Sequence, residues 1–184
     1  YNVDVFESLN IEIPKTYDDF LAACETIKQS GTNPLYLSFK DTWTTQIMPM
    51  IYFANALDER CNEVYAELNT NQLSFADVPE YKQALTDFQA LFDTGYVNED
   101  YIVGTYDESQ AAVATGESAM MVCGEYAVNS ILENYPDANI GMFPLPYNDV
   151  DKIMTANYVY ALCVPKAAAD TAVSLDFINK FSES

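Results

Sequence analysis

The sequence contains no histidine among its 184 residues. Histidine is the commonest general base near neutral pH and the commonest transition-metal ligand in proteins. A catalytic role would therefore have to rest on carboxylates, lysine, tyrosine or cysteine. The sequence also has no Gly-rich phosphate loop, no GxSxG sequence and no cluster with metal-ligand spacing. We accordingly expect no metal and no cofactor.

Positive charge is scarce as well. Eight basic residues stand against 28 acidic ones, which gives a formal net charge of -20. This charge opposes binding to nucleic acid or to an anionic membrane, so we expect no nucleic-acid partner. Two roles for this charge stay open. It either does no more than keep the protein in solution, or it attracts a cationic solute such as a polyamine.

Cysteine is limited to four residues, and none of them has CxxC spacing. Zinc binding and thioredoxin-like chemistry are therefore disfavoured. Cys24, Cys123 and Cys163 lie in apolar runs, which predicts buried side chains that act as small hydrophobes. Cys61 lies in a more polar stretch, and the spacing leaves disulfide formation open.

Long apolar runs and targeting segments are absent too. No stretch of about 20 apolar residues is present, as a membrane-spanning helix would require, and no signal peptide is visible. The sequence begins at Tyr1 and stops within a helical pattern. We therefore expect it to be a piece of a longer protein, for which a missing signal carries no information.

Periodicity predicts strands alternating with helices, which indicates an α/β fold. Thr16 and Asp19 have capping-box spacing at one helix start, and Gly31 ends that helix. Pro49 lies within a later helical pattern, so that helix begins late or is kinked. The predicted strands are 2–6, 35–39, 119–123, 140–143 and 158–164; helices are predicted over 16–31, 43–54, 77–95, 111–116, 126–135 and 172–184; 57–75, 96–106 and 147–157 are predicted as irregular segments.

The run AAVATGESAMMVCGEY, at residues 111–126, is the most informative stretch. A short apolar helix closes on Gly116, an apolar strand follows, and Gly124 breaks it. Glu125 and Tyr126 are thereby placed at the end of the strand. An aromatic face and a carboxylate oxygen together suit the binding of a polar ring, because one stacks and the other accepts hydroxyl protons.

Six blocks of the chain resemble, in order, the extracellular solute-binding proteins of ABC importers, family 1, the carbohydrate-binding group similar to maltodextrin-binding protein. They are YNVDVFESLNIEIPKTYDDFLAACETIKQSG, PMIYFANAL, LTDFQALFDTGYVNED, YDESQAAVATGESAMMVCGEY, GMFPLP and YALCVPKAAADTAVSLDFINKF. In this chain Tyr126 stands where the family usually has tryptophan.

The resemblance implies one lobe of a two-lobed periplasmic-binding-protein type II fold, with a mixed sheet flanked by helices. Residues 1–157 would form the second lobe, and 158–184 would be a strand and helix crossing back toward a missing first lobe. The implied function is to capture an extracellular mono- or oligosaccharide and deliver it to ABC permease subunits, without catalysis. The protein would be a monomer when full length and would lie outside the cytoplasm, as a cell-surface lipoprotein or a periplasmic protein.

Two aromatic residues are the strongest candidates for the site. Trp43, the only tryptophan, follows Asp41 at a strand-to-helix junction, and Tyr126 follows Gly124. Both rings could stack on a sugar, whose C–H face they would shield from water. Trp43 is also in register with a helical apolar face, and Tyr126 could pack at a helix start, so a structural role stays open for each.

Polar candidates accompany these rings. Asp41 and Glu125 could accept protons from sugar hydroxyls, although each also suits a helix N-terminus. Asn157 and Tyr158 resemble the crossing segment near the hinge, where the resemblance implies ligand contact. The alternatives are a receptor for a cationic solute, held by cation–π contacts, and a carbohydrate-active enzyme, for which no carboxylate pair is evident.

Overall fold

The computed structural model describes residues 1–148 and 162–182. The chain divides into two compact units, Tyr1–Met154 and Thr155–Ser184. The elements of the first unit are α1 (Val3–Ser8), α2 (Tyr17–Gln29), β1 (Asn33–Tyr36), α3 (Ile47–Leu57), α4 (Cys61–Asn69), α5 (Pro79–Asp93), α6 (Tyr106–Thr115), β2 (Ser118–Met121) and α7 (Tyr126–Asn134); the second unit contains α8 (Thr171–Ser182).

A small sheet lies at the centre of the first unit. β1 and β2 pair in parallel, with Leu35 opposite Met120. A parallel bridge from Leu35 to Val97 extends one side, and an antiparallel bridge joins Asn2 to Ile140. The predicted α/β class is confirmed, with helices contributing far more residues than strands.

The main core packs α2, α3 and α5 around β1. Phe20 and Ile27 on α2, Leu35 on β1 and Leu91 on α5 are fully or almost fully buried in it. A second, smaller cluster joins α3, α4 and α5 through Leu57, Val64, Val78 and Tyr81. These contacts hold the helices in place around the strands that lead to the candidate site.

The segment 144–148 packs onto α3 through polar and aromatic contacts. The Asn55 amide donates to the Leu145 carbonyl at 3.2 Å. The Tyr147 ring stacks on the Tyr52 ring with centroids 4.1 Å apart, and the Tyr147 hydroxyl donates to Asp87 at 2.7 Å. This segment, which contains Pro144 and Pro146, is thus fixed to the core by the side chains of Asn55 and Tyr147.

Several predicted helix boundaries are confirmed. The Thr16 and Asp19 capping box is formed at α2, and Gly116 ends α6 with a left-handed backbone at φ 76°. α3 begins at Ile47, so Pro49 falls in its first turn. The first amides of a helix have no intrahelical acceptor, so proline is tolerated there and the prediction of a late start is the correct alternative.

The predicted strand at 2–6 is wrong. Asn2 forms a single bridge, and α1 follows because the Asn2 side chain accepts from the Val5 amide at 3.0 Å. This N-terminal cap favours helix over the alternating pattern that the sequence shows. Residues 140–143 likewise contribute a bridge at Ile140 rather than a strand.

The segment 57–75 was predicted to be irregular, and this is also wrong, because it contains α4. Its buried side is narrow, with Val64 as the buried residue of the helix. The helical signal is nevertheless present, since Cys61, Val64, Tyr65 and Leu68 have the i, i+3, i+4, i+7 spacing of one helix face. The two predicted strands at 35–39 and 119–123 are present, but both begin and end earlier than predicted, at Asn33–Tyr36 and Ser118–Met121.

The second unit contains the predicted last helix, α8. Asp170 caps it, accepting from the amides of Ala172 and Val173 at 3.0 Å each. Residues 162–165 have no regular structure, and the rest of the predicted strand at 158–164 lies outside the described residues. Cys163 is exposed, so the prediction that it is buried is wrong, whereas Cys24 is buried as predicted.

None of the helices in residues 1–148 and 162–182 combines the length and the apolar character needed to cross a membrane.

Candidate ligand-binding site

An irregular ladder of hydrogen bonds carries the chain from β1 to the candidate site. The Leu37 amide donates to the Asn98 side chain at 2.7 Å, and the Phe39 amide donates to the Tyr101 carbonyl at 2.8 Å. The Lys40 amide then donates to the Gly104 carbonyl at 3.2 Å. The segment 37–41 thus runs beside 98–106 and arrives next to the start of α6.

Asp41 joins the two ends of this ladder. One oxygen of its carboxylate accepts from the Tyr106 amide, the first amide of α6, at 2.6 Å. Its main-chain carbonyl accepts from the Thr44 amide at 2.9 Å, within the 3₁₀ helix Thr42–Gln46. A carboxylate at a helix N-terminus is favoured by the helix dipole. The predicted capping role is therefore real, but the capped helix is α6 and not the one that follows Asp41.

Trp43 lies on that 3₁₀ helix and packs against Tyr106. The ring centroids are 5.0 Å apart, with planes inclined at 66°, an edge-to-face contact. The Trp43 side chain remains 40% exposed. Of the two readings that the sequence left open, the structure favours a ring presented at the surface over a core residue.

Tyr106 is the residue of this cluster that sequence reasoning missed. The sequence predicts that Tyr106 ends the irregular segment 96–106, whereas in the structure it is the first residue of α6. Thr105 and Glu108 form a capping box there, with Glu108 accepting from the Thr105 amide at 2.7 Å. The T-x-x-E spacing was the available signal, since it places the next residue at a helix start.

Tyr126 begins α7 and is 46% exposed. Its ring folds back over the end of the strand, so that a side chain at Gly124 would come within 2.4 Å of the ring. Gly124 thus leaves room for the close approach of the aromatic ring. The predicted arrangement of strand, glycine and aromatic is present.

The Cys123 sulfur lies next to both tyrosines of the site. Its thiol donates to the Tyr126 hydroxyl, with sulfur and oxygen 3.2 Å apart. The Tyr106 hydroxyl is buried and has no well-aligned hydrogen-bond partner within the described ranges. Burial first, and then the neighbouring Cys123, raise the pKa of Tyr106 and of Tyr126. Both hydroxyls therefore keep their protons at neutral pH and can donate.

Glu125 is exposed and immediately precedes α7, without a hydrogen bond from its side chain to the start of that helix. It is among the groups that raise the pKa of Tyr126, although it contributes least. Asn157 and Tyr158 lie outside the described residues. The structure thus brings Asp41, Trp43 and Tyr126 together through Tyr106, with Glu125 next to Tyr126.

No three histidine, cysteine, aspartate or glutamate side chains come close enough to hold a metal ion in the part of the chain that the structure describes. The arrangement is one of aromatic faces, hydroxyls and carboxylates. Such groups can bind a polar ring by stacking and hydrogen bonding.

The profile of the bacterial extracellular solute-binding proteins matches residues 1–183. The chain belongs to this family. The family match agrees with the resemblance that the six sequence blocks indicated. Members of the family are extracellular binding proteins rather than enzymes.

Individual family members show both the likeness and its extent. An uncharacterized ABC transporter extracellular-binding protein of Pyrococcus horikoshii is 27% identical over 160 residues, which are 84% of this chain and 34% of that protein. A chitin oligosaccharide binding protein superposes with a TM-score of 0.70 at 27% identity, over 80% of this chain and 37% of the other. The solute-binding protein RafE, solved in complex with raffinose, superposes with a TM-score of 0.67 at 28% identity, over 80% of this chain and 38% of RafE. The chain therefore spans about a third of the length of the relatives it matches.

Proposed function

We propose that the chain is part of an ABC-transporter substrate-binding protein and that it contributes to binding an extracellular carbohydrate. The observation that carries the proposal is the gathering of Trp43, Tyr106 and Tyr126 at one surface, with two of the rings exposed. Two of the structural neighbours support a sugar ligand, since their descriptions name chitin oligosaccharide and raffinose.

The geometry suggests how each group would act. The exposed faces of Trp43 and Tyr126 would stack on the C–H faces of sugar rings and exclude water from them. The Tyr126 hydroxyl would donate to a sugar oxygen, and the exposed Glu125 carboxylate would accept from sugar hydroxyls. Asp41 would act chiefly by fixing the positions of Tyr106 and Trp43 relative to each other, because one of its oxygens already accepts from the Tyr106 amide.

The proposal extends to the whole protein. Residues 1–157 would form the second lobe of a two-lobed receptor, and 158–184 would cross back toward the first lobe, with Asn157 and Tyr158 near the hinge. The fraction of the relatives' length that the chain covers supports this assignment. Ligand would favour the closed form, because only that form makes contacts from both lobes.

The closed, monomeric receptor would then be recognised by the permease subunits at the outer face of the membrane. A cell-surface lipoprotein or a periplasmic protein would both meet this requirement. The extracellular character of the family supports the location.

A cationic solute is the second candidate, and the formal charge of -20 is the observation that favours it. A polyamine would use the same aromatic faces through cation–π contacts. Its binding would fall steeply with added salt, whereas neutral sugar binding would not.

The test is a binding titration that follows the fluorescence of Trp43, supported by thermal unfolding. The panel holds raffinose, a chitin oligosaccharide and spermidine, each at matched ionic strength. A ligand that binds the folded state alone raises the midpoint of thermal unfolding by mass action. We expect saturable changes with at least one carbohydrate.

Calorimetric titration of Trp43→Ala then locates the site, with Phe75→Ala as the matched control, since Phe75 is an exposed aromatic that packs on Tyr81 in the second cluster. Loss of binding in Trp43→Ala alone supports the proposal. Binding of spermidine without any sugar would promote the second candidate, and equal losses in both variants would reject this site.

A further inference from the structure

The Cys123 side chain occupies a position that the proposed contacts with ligand do not explain. It is half-buried at the end of the run that follows β2, and its sulfur is 3.2 Å from the Tyr126 hydroxyl. The buried Tyr106 hydroxyl lies near the same sulfur. A single thiol therefore contacts one stacking tyrosine and is next to the tyrosine that supports Trp43.

Two neighbouring residues define the position of the Tyr126 side chain. One ring edge lies where a β-carbon at Gly124 would be only 2.4 Å away, so glycine leaves room for the ring to fold back. At its tip, the hydroxyl is held by the Cys123 thiol. A swing of the side chain about its Cα–Cβ bond would carry the hydroxyl away from the sulfur and break this hydrogen bond.

An exposed aromatic ring otherwise has considerable rotamer freedom, which binding must remove at a cost in free energy. A side chain whose direction is already fixed presents its ring without that cost.

We propose that Cys123 is a positioning residue: its thiol holds the hydroxyl of Tyr126 and thereby sets the direction of the side chain whose ring stacks on the ligand. This inference rests on the proposed function. It assigns to Cys123 a role in affinity that requires no contact between sulfur and ligand.

The test is a double-mutant cycle with Cys123→Ala and Tyr126→Phe. Each variant removes one partner of the hydrogen bond and leaves the ring and backbone in place. We expect each to weaken carbohydrate binding about threefold to tenfold, which is the scale of one hydrogen bond. The double variant is expected to bind no more weakly than Tyr126→Phe, because Cys123 acts only through the hydroxyl that Tyr126→Phe already removes.

Two further variants separate hydrogen bonding from packing. Cys123→Ser keeps a donor and is expected to bind within about twofold of the original protein. Cys61→Ala is the matched control, since Cys61 is also partly buried but lies on α4 in the second cluster. Additive losses in the cycle, failure of serine to restore affinity, or an equal loss in Cys61→Ala would overturn the proposal.

The same cycle measured on urea unfolding, without ligand, separates this inference from the proposed function. A coupling between Cys123 and Tyr126 in unfolding free energy, with no binding of any carbohydrate, would reject the function and keep the thiol as the group that holds the ring. A coupling of zero would reject the positioning role whether or not a sugar binds.

Discussion

At the scale of single residues, Asp41 has the most clearly defined contact in the site. Its carboxylate binds the first amide of α6, and its carbonyl binds the 3₁₀ helix that carries Trp43. We expect Asp41→Ala to lower the free energy of unfolding by about 1–2 kcal/mol, because a charge-assisted hydrogen bond to a helix start is lost. Urea denaturation measures this.

The isosteric Asp41→Asn keeps an acceptor and should lose less than half as much stability. Glu99→Ala removes an exposed carboxylate from the neighbouring segment and serves as control, with almost no change expected. If Asp41→Ala were as stable as the control, the bond to α6 would not be what holds this junction together.

The candidate residues could be predicted to the extent that local sequence places them. Trp43 and Tyr126 each sit next to a break in secondary structure, and such breaks are visible as glycine or as a change in periodicity. The T-x-x-E spacing places Tyr106 at a helix start, but local sequence does not show its role, since that depends on the Trp43 ring 63 positions earlier in the chain, with centroids 5.0 Å apart. The contact between Cys123 and Tyr126 is local, but sequence does not show that a ring folds back over a glycine.

At the scale of elements, the start of α6 makes stability depend on pH. Hydrogen bonds from the amide and hydroxyl of Thr105 lower the pKa of Glu108 from its ordinary value of 4.5. Because the folded-state pKa is lowered, the stabilisation is present above pH 4.5 and is lost as the pH falls through the folded-state value. We expect Glu108→Gln to flatten part of the fall in the urea midpoint between pH 6 and pH 3.

Glu133→Gln, an exposed glutamate on α7, is the matched control for this prediction. This variant should leave the dependence of the urea midpoint on pH unchanged. The capping boxes of Asp19 and Asp77 remain in all variants, and their lowered pKa values keep a residual acid dependence in each. If the urea midpoint fell equally with pH in Glu108→Gln and in the original protein, the Thr105–Glu108 capping box would contribute nothing to the pH dependence of folding.

Helix α5 tests the placement of the core within one element. Leu91 is fully buried, whereas Leu85 on the same helix is 51% exposed. Leu91→Ala is expected to cost about 2–5 kcal/mol of unfolding free energy, through lost burial and a cavity. Leu85→Ala makes the same chemical change at the surface and should cost well under 1 kcal/mol. Comparable losses would mean that α5 is rotated from its described orientation.

The same helix shows where periodicity fails as a guide. The apolar spacing of Tyr81, Leu85, Phe88 and Phe92 suggests one buried face, and Phe88 and Phe92 do pack on the core, but Leu85 is exposed. The fully buried positions on α5 are Tyr81, Ala84 and Leu91. Alanine contributes little to a hydrophobic pattern but fits where helices approach closely. Strong caps and long periodic helices were predictable, whereas the six-residue α1 was not, because the side-chain cap from Asn2 determines it.

At the scale of the whole molecule, the excess of acidic residues should make folding depend on ionic strength. The Debye length falls from about 30 Å at 0.01 M salt to about 8 Å at 0.15 M, so repulsion among like charges weakens. We expect the thermal midpoint to rise over this range. Spermidine at matched ionic strength should raise it no further if the charge only aids solubility, and an extra rise would indicate a specific cation site.

The ladder between 37–41 and 98–106 has a consequence for exchange with solvent. The amides of Leu37, Phe39, Lys40 and Tyr106 all donate to groups across the ladder, although none lies inside a strand. These amides should exchange hydrogen for deuterium as slowly as the sheet amide of Leu35, because their hydrogen bonds can break only when the edge of the sheet opens. The surface that presents Trp43 would then belong to the most protected cooperative unit of the chain.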